Sequence, residues 1–205
     1  MPTGTTATDI KTLVCKHTGV NVNYKKITTW YDGTAMTDAK CDGTIYRKLV
    51  NGSAVEYYVD TNFLDGKPLN PLRFGMKGDG IFDNSNIMDK MLNIGITGTG
   101  WYKAGCNIEF PKGTFYFSRK WNLKNGLSIH GQGKALAGTY HTNLLFEKNI
   151  DAIVINAYNT DGTNNTSTNT GGSGNSEIRG FLITSNKNTA DFCSIIDYNN
   201  GKALV

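Results

Sequence analysis

Residues 74–93 read FGMKGDGIFDNSNIMDKMLN, and this stretch first turns and then coils. Gly75, Gly78 and Gly80 crowd a segment with no strand or helix period, which suits a chain needing positive φ or close backbone approach. Asp79 and Asp83 are four apart and flank that turn. Their carboxylates can accept backbone N–H bonds there, or at the start of a helix. The functional alternative for the same two residues is a Ca²⁺ site or a catalytic carboxylate pair. Beyond the turn, Ile87, Met88, Met91 and Leu92 recur at i, i+1, i+4 and i+5, an apolar stripe of period 3.6. Asp83, Asn84 and Ser85 supply N-cap chemistry and Gly95 supplies a stop. The pattern predicts a helix from about Asn84 to Asn93, lying as a lid on an apolar surface.

Downstream, short apolar or alternating runs succeed one another: Asn107 to Phe110, Thr114 to Ser118, Leu127 to His130, Leu144 to Phe146, Ala152 to Asn156, Ile178 to Ser185 and Ser194 to Asp197. Connectors containing Gly, Asn or Pro divide them, and no second amphipathic helix intervenes. Without crossover helices a doubly wound sheet is excluded, which leaves a sandwich, a barrel or a β-solenoid. In TFYFS alternate residues face opposite sides, so Phe115 and Phe117 are expected inside and Tyr116 outside. The run from Asn156 to Glu177 is almost entirely Asn, Thr, Gly and Ser and reads as one exposed loop.

Upstream, residues 1–70 have another texture: runs such as TIYRKL and VEYYV alternate between Asp-Gly and Asn-Gly turns. Asn51-Gly52 between two β-branched and aromatic runs predicts a hairpin of Thr44 to Leu49 with Val55 to Val59.

Composition narrows the function classes. The 205 residues carry 21 Lys plus Arg against 17 Asp plus Glu, a net charge of +4. The surplus is spread evenly, nine basic and seven acidic groups in residues 1–74 and twelve and ten in 75–205, and basic residues come at most in pairs. No phosphate-tracking stripe results, so nucleic acid is not an expected partner. Cys15, Cys41, Cys106 and Cys193 form no CxxC or Cys/His cluster and read as small hydrophobes or idle thiols. The opening MPTGTTATDIK lacks the charged and apolar regions of a secretory signal. Met91 to Tyr102 is too short and too rich in Gly and Thr to span a bilayer, so no membrane is expected.

Three strings carry a resemblance. FGMKGDGIFDNSNIMDKMLN resembles the entry motif of the pectate-lyase-like superfamily of right-handed parallel β-helices. IEFPKGTFYFS resembles that family's strand, Pro-x-Gly-Thr turn and strand, and LSIHGQGK followed by TNLLFE resembles the next pair. Together they cover about Leu72 to Phe146. The resemblance implies an all-β chain: the first coils of a right-handed parallel β-helix with an N-terminal capping helix over residues 71–205, preceded by a small β-hairpin-rich module over residues 1–70. It also implies structural rather than catalytic roles for Gly75, Gly78, Asp79, Gly80 and Asp83, because the motif lies at the capped end. The same arrangement is frequent in bacteriophage tailspikes and capsule depolymerases, where a small module anchors the β-helix to the virion. A homotrimer located in the phage tail, docked on other virion proteins and attached to host surface polysaccharide, is the resulting expectation.

Catalytic chemistry is not apparent in the sequence. Glycosidic cleavage needs two carboxylates facing one groove, and no two acidic residues are two apart on one strand face. A stacked pair such as Asp151 with Glu177 is the remaining possibility. Arg179 beside Glu177 is the one basic residue in a candidate strand close to an acid, and reads more simply as an exposed cross-strand ion pair. His17, His130 and His141 belong to no HExxH and read as surface or turn residues. No GxSxG elbow or phosphate loop occurs, and neither a cofactor nor a metal is implied. Tyr116, Glu177 and Arg179 are the candidate glycan contacts. The expected function is attachment to host polysaccharide. The alternatives are a lyase or glycoside hydrolase whose active site lies beyond residue 205, and a purely structural tail or baseplate component. The apolar end GKALV leads to the further expectation that the array continues past Val205.

Overall fold

A computed structural model describes residues 9–30, 33–94, 107–123, 127–133, 141–148, 150, 152–156, 177–185 and 196–199. The chain divides into two compact units, Met1–Pro68 and Leu69–Val205.

In the first unit β1 (Ile10–Val14), β2 (Asn21–Ile27), β3 (Tyr46–Asn51) and β4 (Ala54–Asp60) form an antiparallel sheet of order β1-β2-β4-β3. The β3–β4 hairpin closes with Asn51 opposite Ala54, so its two-residue turn is Gly52-Ser53, one position later than the Asn-Gly reading. Gly52, at φ 64, takes the left-handed position such a turn requires. The sequence reading places no strand at β1 or β2, although Asn21-Val22-Asn23-Tyr24 alternates polar with apolar and buries Val22 and Tyr24. Cys15, Val22, Tyr24 and Tyr58 cluster on one face, with Leu13 and Leu49 packed against them. The Tyr24 and Tyr58 rings are covered by the Arg47 guanidinium and the Lys11 ammonium. Glu56 accepts from Lys26 Nζ at 2.6 Å, Tyr58 Oη at 2.8 Å and Lys11 Nζ at 3.2 Å, bonds that hold its carboxyl down at about 2. A short helix, α1 (Thr61–Leu64), follows, capped by Asp60, whose Oδ1 accepts from Asn62 N.

The second unit holds β5 (Asp79–Asp83), α2 (Ser85–Ile94), β6 (Asn107–Glu109), β7 (Gly113–Phe117), β8 (Trp121–Leu123), β9 (Ser128–His130), β10 (Thr142–Phe146), β11 (Ile153–Asn156), β12 (Glu177–Arg179), β13 (Leu182–Ser185) and β14 (Ile196–Asn199). They build three separate parallel sheets, of orders β13-β10-β7-β5, β14-β11-β8 and β12-β9-β6. The core is aromatic. Phe110, Phe115, Phe117, Trp121 and Phe146 are buried, with ring centroids 4.9–5.9 Å apart, and each stabilises the unit by about 2 kcal/mol.

The expected class, an all-β right-handed parallel β-helix, is corrected by this arrangement. The described residues have a mixed architecture of one antiparallel sheet, three small parallel sheets and two α-helices. The physical reason lies in the connections: a two-residue turn permits only antiparallel neighbours, whereas parallel partners need a longer return path. Both kinds occur in this chain. The run Ile178 to Ser185, read as one strand, is two, because Gly180 at φ 78 turns the chain between β12 and β13. Trp121–Leu123 was not recognised as a strand, being too short to show a period. The helix runs Ser85–Ile94, and its Met88, Met91 and Leu92 are buried where it packs on β8 and the turn Pro71–Phe74.

Candidate functional site

The entry turn is a closed set of hydrogen bonds. Gly75 and Gly80 have φ of 93° and 73°, and a Cβ on Gly78 would stand 3.2 Å from the Gly113 Cα. Asp79 Oδ1 accepts from Phe82 N and Ile81 N, both at 2.9 Å, and these bonds lower its carboxyl pKa. Asp83 Oδ1 accepts from Ser85 Oγ at 2.6 Å, Ser85 N at 3.0 Å and Ser118 N at 3.1 Å, while Oδ2 accepts from Ser118 Oγ at 2.6 Å. Burial pushes this carboxyl up, but the four bonds outweigh it and hold it at about 2. Asn84 is buried and ties the turn to β7. Its Oδ1 accepts from Lys77 N, and its Nδ2 donates to the carbonyls of Lys77, Phe82 and Tyr116. Both aspartates are thus occupied with backbone and serine donors.

Tyr116 points outward between buried Phe115 and Phe117, and its hydroxyl donates to Glu147 Oε2 at 2.6 Å. That bond raises the phenol to about 12 and lowers the glutamate.

The remaining candidates, Glu177 and Arg179, lie on the β12-β9-β6 sheet. Its strands read Glu177-Ile178-Arg179, Ser128-Ile129-His130 and Asn107-Ile108-Glu109, and they pair in register. Alternation turns the central isoleucines inward: Ile108 and Ile129 are fully buried. Six polar side chains therefore occupy the outer face as two rows, Glu177–Ser128–Asn107 and Arg179–His130–Glu109. Strands lie about 4.8 Å apart and same-face neighbours about 6.6 Å apart, so the grid measures about 10 Å by 7 Å. Glu177 is the hub, with Oε2 3.1 Å from His130 Nε2 and Oε1 3.3 Å from Arg179 Nε. The Glu177–Arg179 pair runs along one strand, not across two, which corrects the cross-strand reading. Its other proposed partner, Asp151, lies outside the described residues, as do Cys106, Cys193 and most of the Asn156–Glu177 loop. Of the other cysteines, Cys15 is buried and Cys41 half-buried.

Sequence reading missed His130 and Glu109 as members of this face. The signal was present: polar-Ile-polar recurs in NIE, SIH and EIR. Three residues are too few to reveal a register, and only pairing brings the triplets together. Chemically the face offers two carboxylates, a guanidinium, an imidazole, an amide and a hydroxyl on a rigid support. By strand geometry Glu109 and Glu177 stand about 12 Å apart at the backbone, wider than the two-carboxylate arrangement of glycoside hydrolysis. Among the described residues no group of three or more His, Cys, Asp or Glu is placed to hold a metal ion, and no helix is long and apolar enough to cross a membrane.

No protein-family model matches the sequence, and no curated protein does. Among solved structures, ORF18 of Geobacillus virus E2 is similar at a TM-score of 0.41 and 13% identity, over 70% of this chain and 32% of that one. This chain thus spans about a third of that protein's length. A likeness of this size establishes neither a shared fold nor a shared role.

Proposed function

We propose that the chain is a tailspike-like attachment protein of a phage virion and that it holds host surface polysaccharide on the outer face of the β12-β9-β6 sheet. The observation that carries this reading is the six-residue polar grid, in register over buried Ile108 and Ile129 and half-buried Ile178. Sugars present closely spaced hydroxyls, and a rigid array of mixed donors and acceptors matches them without ordering loops. The grid is about two sugar units long. The resemblance of the Phe74–Asn93 stretch to the entry motif of the pectate-lyase-like superfamily, an arrangement frequent in bacteriophage tailspikes, supports the viral setting, with Met1–Pro68 as the module that joins other virion proteins. A printed panel of bacterial capsular and O-antigen polysaccharides tests the reading. The chain is expected to retain at least one polysaccharide, and a Glu109→Ala/His130→Ala variant that remains folded is expected to lose it. A panel with no retained polysaccharide, or a variant that binds as well as the parent, overturns the proposal. Cleavage of the retained glycan would replace pure attachment with a lyase or hydrolase role.

A further inference from the structure

We infer that the glycan taken by this face is acidic and that Glu177 occupies the seat of the ligand's carboxylate. The inference rests on the reading of the face as a glycan platform and adds the chemical class. Two groups capable of positive charge, Arg179 and His130, stand side by side on paired strands, and one carboxylate of the same chain reaches both. That carboxylate is loosely seated. Its contacts of 3.1 and 3.3 Å exceed the 2.6 Å of Lys26 to Glu56 in the first unit and the usual length of a charge-assisted bond. The glutamate and arginine side chains are 50% and 65% exposed, so the pair is screened by water and costs little to part. His130 is only 25% exposed and is held by its strand, as is Arg179 at the backbone. His130 therefore keeps its place when Glu177 swings away, and a ligand carboxylate entering beside it meets the imidazole and can draw the exposed Arg179 guanidinium onto the same seat.

The face is also polarised. Glu109 and Asn107, on β6 at the far edge, offer an acceptor and an amide to hydroxyls and disfavour a second carboxylate. A glycan with one acidic sugar beside a neutral one matches this gradient, its acid over β12 and β9. The charged groups facing His130 are Glu109 from β6 and Glu177 and Arg179 from β12.

Isothermal titration of the full chain with a glucuronate-bearing tetrasaccharide and with maltotetraose tests this. The acidic sugar is expected to bind more tightly. Glu177→Gln, which removes the internal competitor, is expected to tighten the acidic sugar about two- to fivefold. Arg179→Gln and His130→Gln are each expected to weaken the acidic sugar by a similar factor, and by more than they weaken maltotetraose. Circular dichroism confirms that each variant is folded. Weaker binding of the acidic sugar by Glu177→Gln overturns the inference, because Glu177 would then be a contact and not a competitor. Equal binding of both sugars also overturns it but leaves the platform standing, whereas binding of neither overturns the inference, and the platform falls with it if no polysaccharide is retained on the panel.

Discussion

Gly131 and Gly180 face each other where the chain leaves β9 and β12. A Cβ on either would collide with the other's carbonyl oxygen, and Gly131 N, Gly133 N and Arg179 O are hydrogen-bonded around the same corner. Backbone has no rotamer with which to yield, so Gly180→Ala is expected to cost about 3 kcal/mol. For a chain of this size that lowers the melting temperature by roughly 6–12 °C. Gly133→Ala is the control. Its φ of 72 is strained but its surroundings are open, and a loss of about 1 kcal/mol is expected. Calorimetry showing equal losses for the two variants would contradict the close-approach account. Asp83 has a separate test through pH. Its folded pKa of about 2 lies below the ordinary 3.8, so its contribution is complete above about pH 4 and disappears as pH falls through 2. The melting temperature of the parent is expected to exceed that of Asp83→Asn at pH 5 and to converge with it by pH 2. A gap that does not change with pH would show that the carboxylate charge is irrelevant to the turn.

Between β5 and β6, α2 buries Met88, Met91 and Leu92 against β8, an edge strand, and the turn Pro71–Phe74. Met91→Asp places a charge with no room to be hydrated in that contact, and a loss of at least ~3 kcal/mol is expected. An unchanged melting transition would mean that the helix does not cover the sheet. This element was legible in the sequence because ten residues give a 3.6 period time to repeat. TFYFS was legible for the corresponding reason, with Phe115 and Phe117 alternating around Tyr116. Strand pairing was not legible. Whether neighbours run parallel or antiparallel depends on how far the chain travels before it returns, and a string of short strands reads alike in either case. The site was half legible for the same reason. Glu177 and Arg179 were visible as an acid and a base in one strand, whereas His130 and Glu109 joined them only through a register that sequence spacings of 21 and 49 residues conceal.

For the whole molecule, the first unit is small and its apolar cluster modest, and such a unit gains stability by association. We propose a homotrimer, and light scattering is expected to give a mass of three chains; a monomer would remove the trimer from the account. The central claim concerns the other unit, whose β12-β9-β6 face is to carry the polysaccharide. Amide chemical-shift mapping of the labelled chain during titration with the polysaccharide retained on the panel tests it most directly. The account predicts shifts concentrated at Asn107, Glu109, Ser128, His130, Glu177 and Arg179, with those of Thr114, Tyr116 and Asn143 on the neighbouring sheet unchanged. Shifts confined to that neighbouring sheet or to the first unit would contradict it.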